Sequence, residues 1–124
     1  MAKTRVFISF DHDHDTAMKT MLVGQSTLRD SPFEVADWSL KEDTPDWEQE
    51  TRKRIKQSEV VVVIVGEHMA TATGVSKEIK IARDEKARMF GLRGRADKPC
   101  PVPQGYPTVY AWTWDNLKKR LAGR

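Results

Sequence analysis

The sequence predicts an α/β fold: a flavodoxin-like open sheet of five parallel strands, order 2-1-3-4-5, with helices on both faces. Three observations carry that expectation. Val60–Val65 (VVVVIV) is apolar at every position, as a strand must be when helices cover both its faces. Strand-like and helix-like segments alternate along the chain, and short parallel crossovers are right-handed almost without exception. At 124 residues the chain suffices for one domain, 1–124, with one core.

Arg5–Phe10 (RVFISF) has the β-branched and aromatic density of a first strand and runs into the polar stretch Asp11-His12-Asp13-His14-Asp15. Met18, Met21, Leu22, Gln25 and Leu28 then recur at helical spacing, with Asp13 or Asp15 as the N-cap. Asp30-Ser31-Pro32 breaks this helix, and Phe33–Ala36 reads as a short second strand. A polar loop, Asp37–Asp43, leads to Thr44-Pro45, a cap followed by proline at the first helical position. The helix after it carries Asp46 and Glu48 early and Arg52, Lys53, Arg54 and Lys56 late, matching the macrodipole.

Val60–Val65 is the third strand and stops at Gly66. Beyond the loop Glu67–Thr73 a helix over Gly74–Lys86 places Val75, Ile79 and Ala82 on one face. Met89–Leu92 is the fourth strand, and the proline-rich stretch Gly94–Pro107 is a loop. Thr108–Trp112 is the fifth strand, followed by a helix, Asp115–Leu121, capped by Asp115.

Composition narrows the function. The longest apolar run, Val60–Gly66, is far short of the roughly 20 residues that span a bilayer. The first residues lead straight into a strand pattern, so no signal peptide is expected. Cys100 is the single cysteine, which excludes an intrachain disulfide and a cysteine zinc site. A cytoplasmic, membrane-free protein is the expectation. Much of the basic excess behind the net charge of +3 sits late, from Arg83 to Lys98 and from Lys118 to Arg124. Asp84, Glu85 and Asp97 interrupt that basic excess, so a solvated helix face explains it at least as well as nucleic-acid contact.

In a sheet of this order, ligands bind beyond the carboxyl ends of the strands, at the switch point between strands one and three. The loops Asp11–Asp15, Asp37–Asp43 and Glu67–Thr73 meet there. Asp37, Ser39, Gly66 and His68 are the candidate substrate contacts that the second and third loops bring. Glu78 lies three residues after Val75 and four before Ala82, on the flank of the buried stripe. It is expected half-buried at the mouth of the site, its charge favoured by the helix N-terminus and opposed by apolar neighbours. A glutamate placed there only for the helix dipole is the plainer alternative.

The Asp11–Asp15 run has metal-ligand residue types, but its groups are confined to one loop with no other cluster at a fitting spacing, so no metal is expected. A phosphorylated receiver would need an aspartate ending strand three and a lysine ending strand five. Val65-Gly66 and Trp112-Thr113 hold those places. No glycine-rich phosphate cradle and no Ser-His-Asp or Cys-His arrangement is present.

The opening Arg5–Phe10 with its acidic loop, the stretch Val60–Ala82 and the tail Val109–Leu121 resemble TIR and TIR-like domains. They resemble in particular the compact bacterial group that includes the signal-producing protein of the Thoeris antiphage system. The resemblance implies an enzyme that cleaves the nicotinamide–ribose bond of NAD, with NAD as substrate and no cofactor. It matches Glu78 to the catalytic glutamate and has Phe10 and Asp11 line the pocket. It makes the loop Asp37–Asp43 a mobile assembly surface. The ADP-ribose part then becomes a cyclic or otherwise modified signal sensed by a downstream effector. A non-catalytic adaptor with the same fold is the rival, and a nucleic-acid or metal-dependent phosphodiester enzyme is a third reading.

Overall fold

The computed structural model describes residues 3–95 and 97–122. Met1, Ala2, Ala96, Gly123 and Arg124 lie outside the described residues, and with them the first residues of the chain and the last of the late basic ones. Five strands, β1 (Thr4–Ser9), β2 (Phe33–Trp38), β3 (Val60–Val65), β4 (Arg88–Arg93) and β5 (Val109–Ala111), form one parallel sheet of order β2-β1-β3-β4-β5. The connections are α1 (Thr16–Ser26), α2 (Trp47–Lys56) and α3 (Thr73–Asp84), with α4 (Trp114–Ala122) closing the described chain. None of these helices is long and apolar enough to cross a membrane.

β3 is central, paired with β1 from Val6–Val60 to Ser9–Val63 and with β4 from Val60–Arg88 to Val65–Arg93. Its alternate residues point to opposite faces, and both faces are covered. Val60, Val62 and Ile64 pack with Met18 and Leu22 of α1 and Leu117 and Leu121 of α4. Val61, Val63 and Val65 pack with Ile55 of α2 and Val75, Ile79 and Ala82 of α3. Two apolar faces are thus the reason the VVVVIV run lacks alternation.

The structure corrects several local expectations. In α1 the buried stripe is Met18, Leu22 and Ser26. Met21 is 62% exposed, and Leu28, at 48%, lies beyond the helix end. Asp15 occupies the N-cap position but makes no side-chain cap bond, because its carboxylate turns inward instead. α2 starts at Trp47 rather than at Thr44-Pro45. The residue before it, Asp46, takes a left-handed conformation (φ 54), which short polar side chains tolerate, and that bend ends a turn containing Pro45. α4 is capped by the Thr113 hydroxyl, which accepts the Asn116 N–H at 3.1 Å, while Asp115 occupies the first turn.

β2 runs two residues further than its hydrophobic pattern suggested. After an irregularity between Val6 and Phe7, Asp37 pairs with Phe7 and Trp38 with Ile8. The Ser39 N–H still donates to the Ile8 carbonyl at 2.9 Å. Pairing to β1 outweighs the weak strand propensity of aspartate. The loop that approaches the switch point therefore begins at Ser39.

Candidate active site

α3 buries Val75, Ile79 and Ala82, and with them Ile81 and Glu78. So wide an apolar face carries Glu78 inward to 1% exposure, deeper than the half-buried place its spacing suggested. Ser9, at the end of β1, donates its hydroxyl to Glu78 Oε1 at 2.7 Å. Ser39, just past β2, donates to the same oxygen at 2.6 Å. Glu78 Oε2 is buried with no hydrogen-bond partner. Burial dominates and pushes the carboxyl up to about 8 against the pull of the two serines, so at neutral pH the resting group is mostly protonated.

Glu78 borders a cavity of about 380 Å³, whose other walls are residues 10–13, 39–43 and 71–75. That volume lies in the range of small-molecule sites, roughly 300–1,000 Å³. The cavity opens beyond the carboxyl ends of β1 and β2 and beside the start of α3. Phe10 is buried, and its N–H donates to Ser39 Oγ at 3.0 Å. His12 Nε2 is 2.7 Å from the Ser39 carbonyl, which ties the first loop to the second. Asp11 organises its own loop: Oδ1 accepts the Asp13 N–H at 3.0 Å, and Oδ2 meets His14 Nδ1 at 2.8 Å.

The structure thus brings Phe10, Asp11, Ser39 and Glu78 to one cavity. It places Asp37, Gly66 and His68 elsewhere. Asp37 is part of β2, where it pairs with Arg54 of α2. His68 stacks on His14, ring centroids 3.7 Å apart. Gly66 ends the strand run beside the buried Asp15 carboxylate; a Cβ built on it would lie 2.2 Å from Asp15 Oδ2. Burial, with the charge of Asp11, raises the Asp15 carboxyl to about 6. Asp11 and Asp15 thus turn their carboxylates into the fold, while Asp13 is exposed. Among the described residues no group of three or more histidine, cysteine or acidic side chains could hold a metal ion.

Sequence reasoning missed two parts of the site. Ser9 is a small hydroxyl inside an otherwise apolar strand, and that break in the pattern was its signal. The other is Glu42, whose carboxylate crosses to the start of α3: Thr73 Oγ1 donates to Oε1 at 2.8 Å and Lys77 Nζ to Oε2 at 2.9 Å. Nothing local in the Asp37–Asp43 run announces that contact, which joins residues 31 and 35 positions apart. Trp47 Nε1 adds a bond to the Leu40 carbonyl at 3.1 Å and so fixes the outer wall.

Residues 7–99 match the family model described as the TIR-like domain of Thoeris protein ThsB. The match spans β1 to the loop after β4 and includes every residue that borders the cavity. No curated protein matches the chain.

Proposed function

Because the chain belongs to the Thoeris ThsB TIR-like family, we propose that it is an NAD-cleaving enzyme of antiphage defence with Glu78 as its catalytic residue. One observation carries the reading: a buried carboxyl, held by two hydroxyls on one oxygen, keeps its other oxygen unpartnered in a residue that borders the cavity. A buried carboxylate oxygen without a partner is uncommon, and Asp15, the other carboxyl among the described residues that has one, does not border the cavity.

The chemistry suits that arrangement. When the C1′–N bond breaks, its electron pair leaves with nicotinamide, which departs neutral and needs no general acid. The ribosyl centre left behind is oxocarbenium-like, and a carboxylate facing it stabilises the developing charge. The protonated resting state of Glu78 does not oppose this. NAD brings a pyridinium cation, and a cation close to a buried carboxyl favours its ionised form. Capture of the cation by water gives ADP-ribose, and capture by an adenine nitrogen gives a cyclic product, each with loss of one proton. Phe10 offers an apolar wall to the nicotinamide or ribose, and Asp11 an acceptor to hydroxyls. The product is, in this reading, the signal for an effector.

Nicotinamide release from NAD, followed by chromatography with and without a divalent metal, tests the reading. Wild type is expected to release nicotinamide without metal, and Glu78→Gln to lose on the order of a hundredfold or more in rate. Glu85→Gln is the control, because Glu85 ends α3 outside the cavity and pairs with Arg52. A Glu78→Gln protein that keeps the wild-type rate makes Glu78 structural. A wild type that never consumes NAD, even inside phage-infected cells, makes the adaptor reading the better one.

A further inference from the structure

Glu42 does something unusual for a loop glutamate: its carboxylate occupies the amino end of α3. Thr73 Oγ1 and Lys77 Nζ donate to it and the Gly74 N–H lies close by, so one helical turn gathers its polar hydrogens around a single anion. Lys77, then Thr73 and Gly74, hold the carboxyl below its ordinary range. Gly74 lets the anion approach closely; a Cβ there would stand 3.3 Å from Glu42 Oε1. Glu42, Thr73 and Gly74 all border the cavity, and the Glu42 side chain is 40% exposed, so solvent lies on its outer side.

A second, independent feature points to a ligand in the same cavity. One turn further along α3, at the position four residues after Gly74, is Glu78, whose Oε2 is buried and unpartnered. Four residues of helix advance about 6 Å. A ribose is what separates a glycosidic carbon from its 5′-phosphate, so a nucleotide with its anomeric carbon at Glu78 carries its phosphate back toward Gly74.

We propose that Thr73, Gly74 and Lys77 form the subsite for the diphosphate bridge of the nucleotide, and that in the free protein Glu42 fills it as an internal stand-in. The inference rests on the NAD-cleaving reading above and adds a regulatory element to it. Seating the substrate requires the Glu42 carboxylate to leave, which releases the wall at Lys41–Asp43 while Trp47 still holds Leu40. The diphosphate then takes over the same donors at a helix N-terminus, where backbone N–H groups and the dipole favour an anion. Glu42 thereby acts as a competitive latch within the chain.

Calorimetric titration of wild type, Glu42→Gln and Lys77→Ala with ADP-ribose, inorganic pyrophosphate and adenosine tests this. Glu42→Gln removes the competing charge and is expected to bind ADP-ribose and pyrophosphate roughly three- to tenfold more tightly, the scale of an exposed ion pair plus a helix end. Lys77→Ala is expected to weaken both by a similar factor. Adenosine, lacking the diphosphate, is expected to bind all three proteins alike. ADP-ribose binding that ignores both substitutions overturns the subsite and leaves NAD cleavage standing. Failure of the underlying reading looks different: no protein binds ADP-ribose, none releases nicotinamide, and the diphosphate assignment falls with it.

Discussion

Ser39 Oγ donates to Glu78 Oε1 at 2.6 Å while accepting the Phe10 N–H at 3.0 Å, so one hydroxyl joins the ends of two strands to the buried acid on α3. Ser39→Ala removes both bonds and leaves a buried N–H without its partner. The expected cost is about 1–3 kcal/mol of stability, read by urea unfolding. Because the Ser39 bond opposes the burial that raises the Glu78 pKa, its loss should move that pKa further up. A Ser39→Ala protein with an unchanged pH–rate profile would show that this hydroxyl does not tune Glu78.

Much of this arrangement was legible in the sequence, and what was not has a physical reason. The central strand showed itself because only a doubly covered strand is apolar at six consecutive positions. Glu78 could be placed near the switch point from the order of elements and the pitch of one helix. Its depth could not, since that depends on Ser9 and Ser39, 69 and 39 residues away in the chain. Asp37 and Ser39 differ by two residues, yet one bonds to Arg54 on α2 and the other to Glu78. The end of β2 decides between them, and strand ends are set by pairing with β1 rather than by local pattern. Asp15 read as a helix cap because caps are local, whereas its burial against Gly66 is a tertiary contact.

A pH–rate profile follows from the raised carboxyl. The ionised form of Glu78 is the one that faces the developing cation, and the group titrates near 8 in the free protein. Since kcat/KM reports free-enzyme pKa values, its logarithm should climb with pH and level off above about 8. The kcat limb should break at lower pH, because bound NAD carries the pyridinium charge that favours the carboxylate. Initial rates of nicotinamide release between pH 5.5 and 9.5 would decide it, and a kcat/KM that is flat from pH 6 to 8 contradicts the assignment.

Gly66 and Asp15 are expected to be coupled. The space above the Gly66 Cα is filled by the Asp15 carboxylate, which is itself buried. Gly66→Ala should cost about 1–3 kcal/mol by overpacking, since a Cβ there meets the carboxylate of a buried side chain that must shift to admit it. Asp15→Ala vacates that space and removes an orphaned carboxylate oxygen, so the double variant should be more stable than Gly66→Ala alone. Thermal or urea unfolding of all four proteins measures the coupling, and strict additivity would disprove the contact.

Glu78 also leaves a mark on stability that does not depend on any activity. Its folded carboxyl titrates near 8 and an unfolded one near 4.5, so between those values the native state holds a proton that the unfolded state has lost. Stability then falls as pH rises, by at most about 1.4 kcal/mol per unit for one group. The contribution is complete below the unfolded pKa and lost as pH passes the folded one. Asp15 acts with the same sign, but its effect is finished by about pH 6, where its folded carboxyl titrates. His14, raised chiefly by its bond to Asp11, also acts with that sign, though its exposed position makes the contribution small. Subtracting the Glu78→Gln curve from the wild-type curve isolates the glutamate, because both other groups remain in each protein. The amide keeps an oxygen to accept from Ser9 and Ser39, so the fold should survive the change. Glu78→Gln should therefore gain on wild type steadily from pH 6 to 8, by an amount on the order of a few kcal/mol. Urea unfolding at half-unit steps of pH reads this directly. Parallel stability curves over that window would mean that Glu78 is already ionised at neutral pH in the folded protein, with water or a counter-charge reaching Oε2.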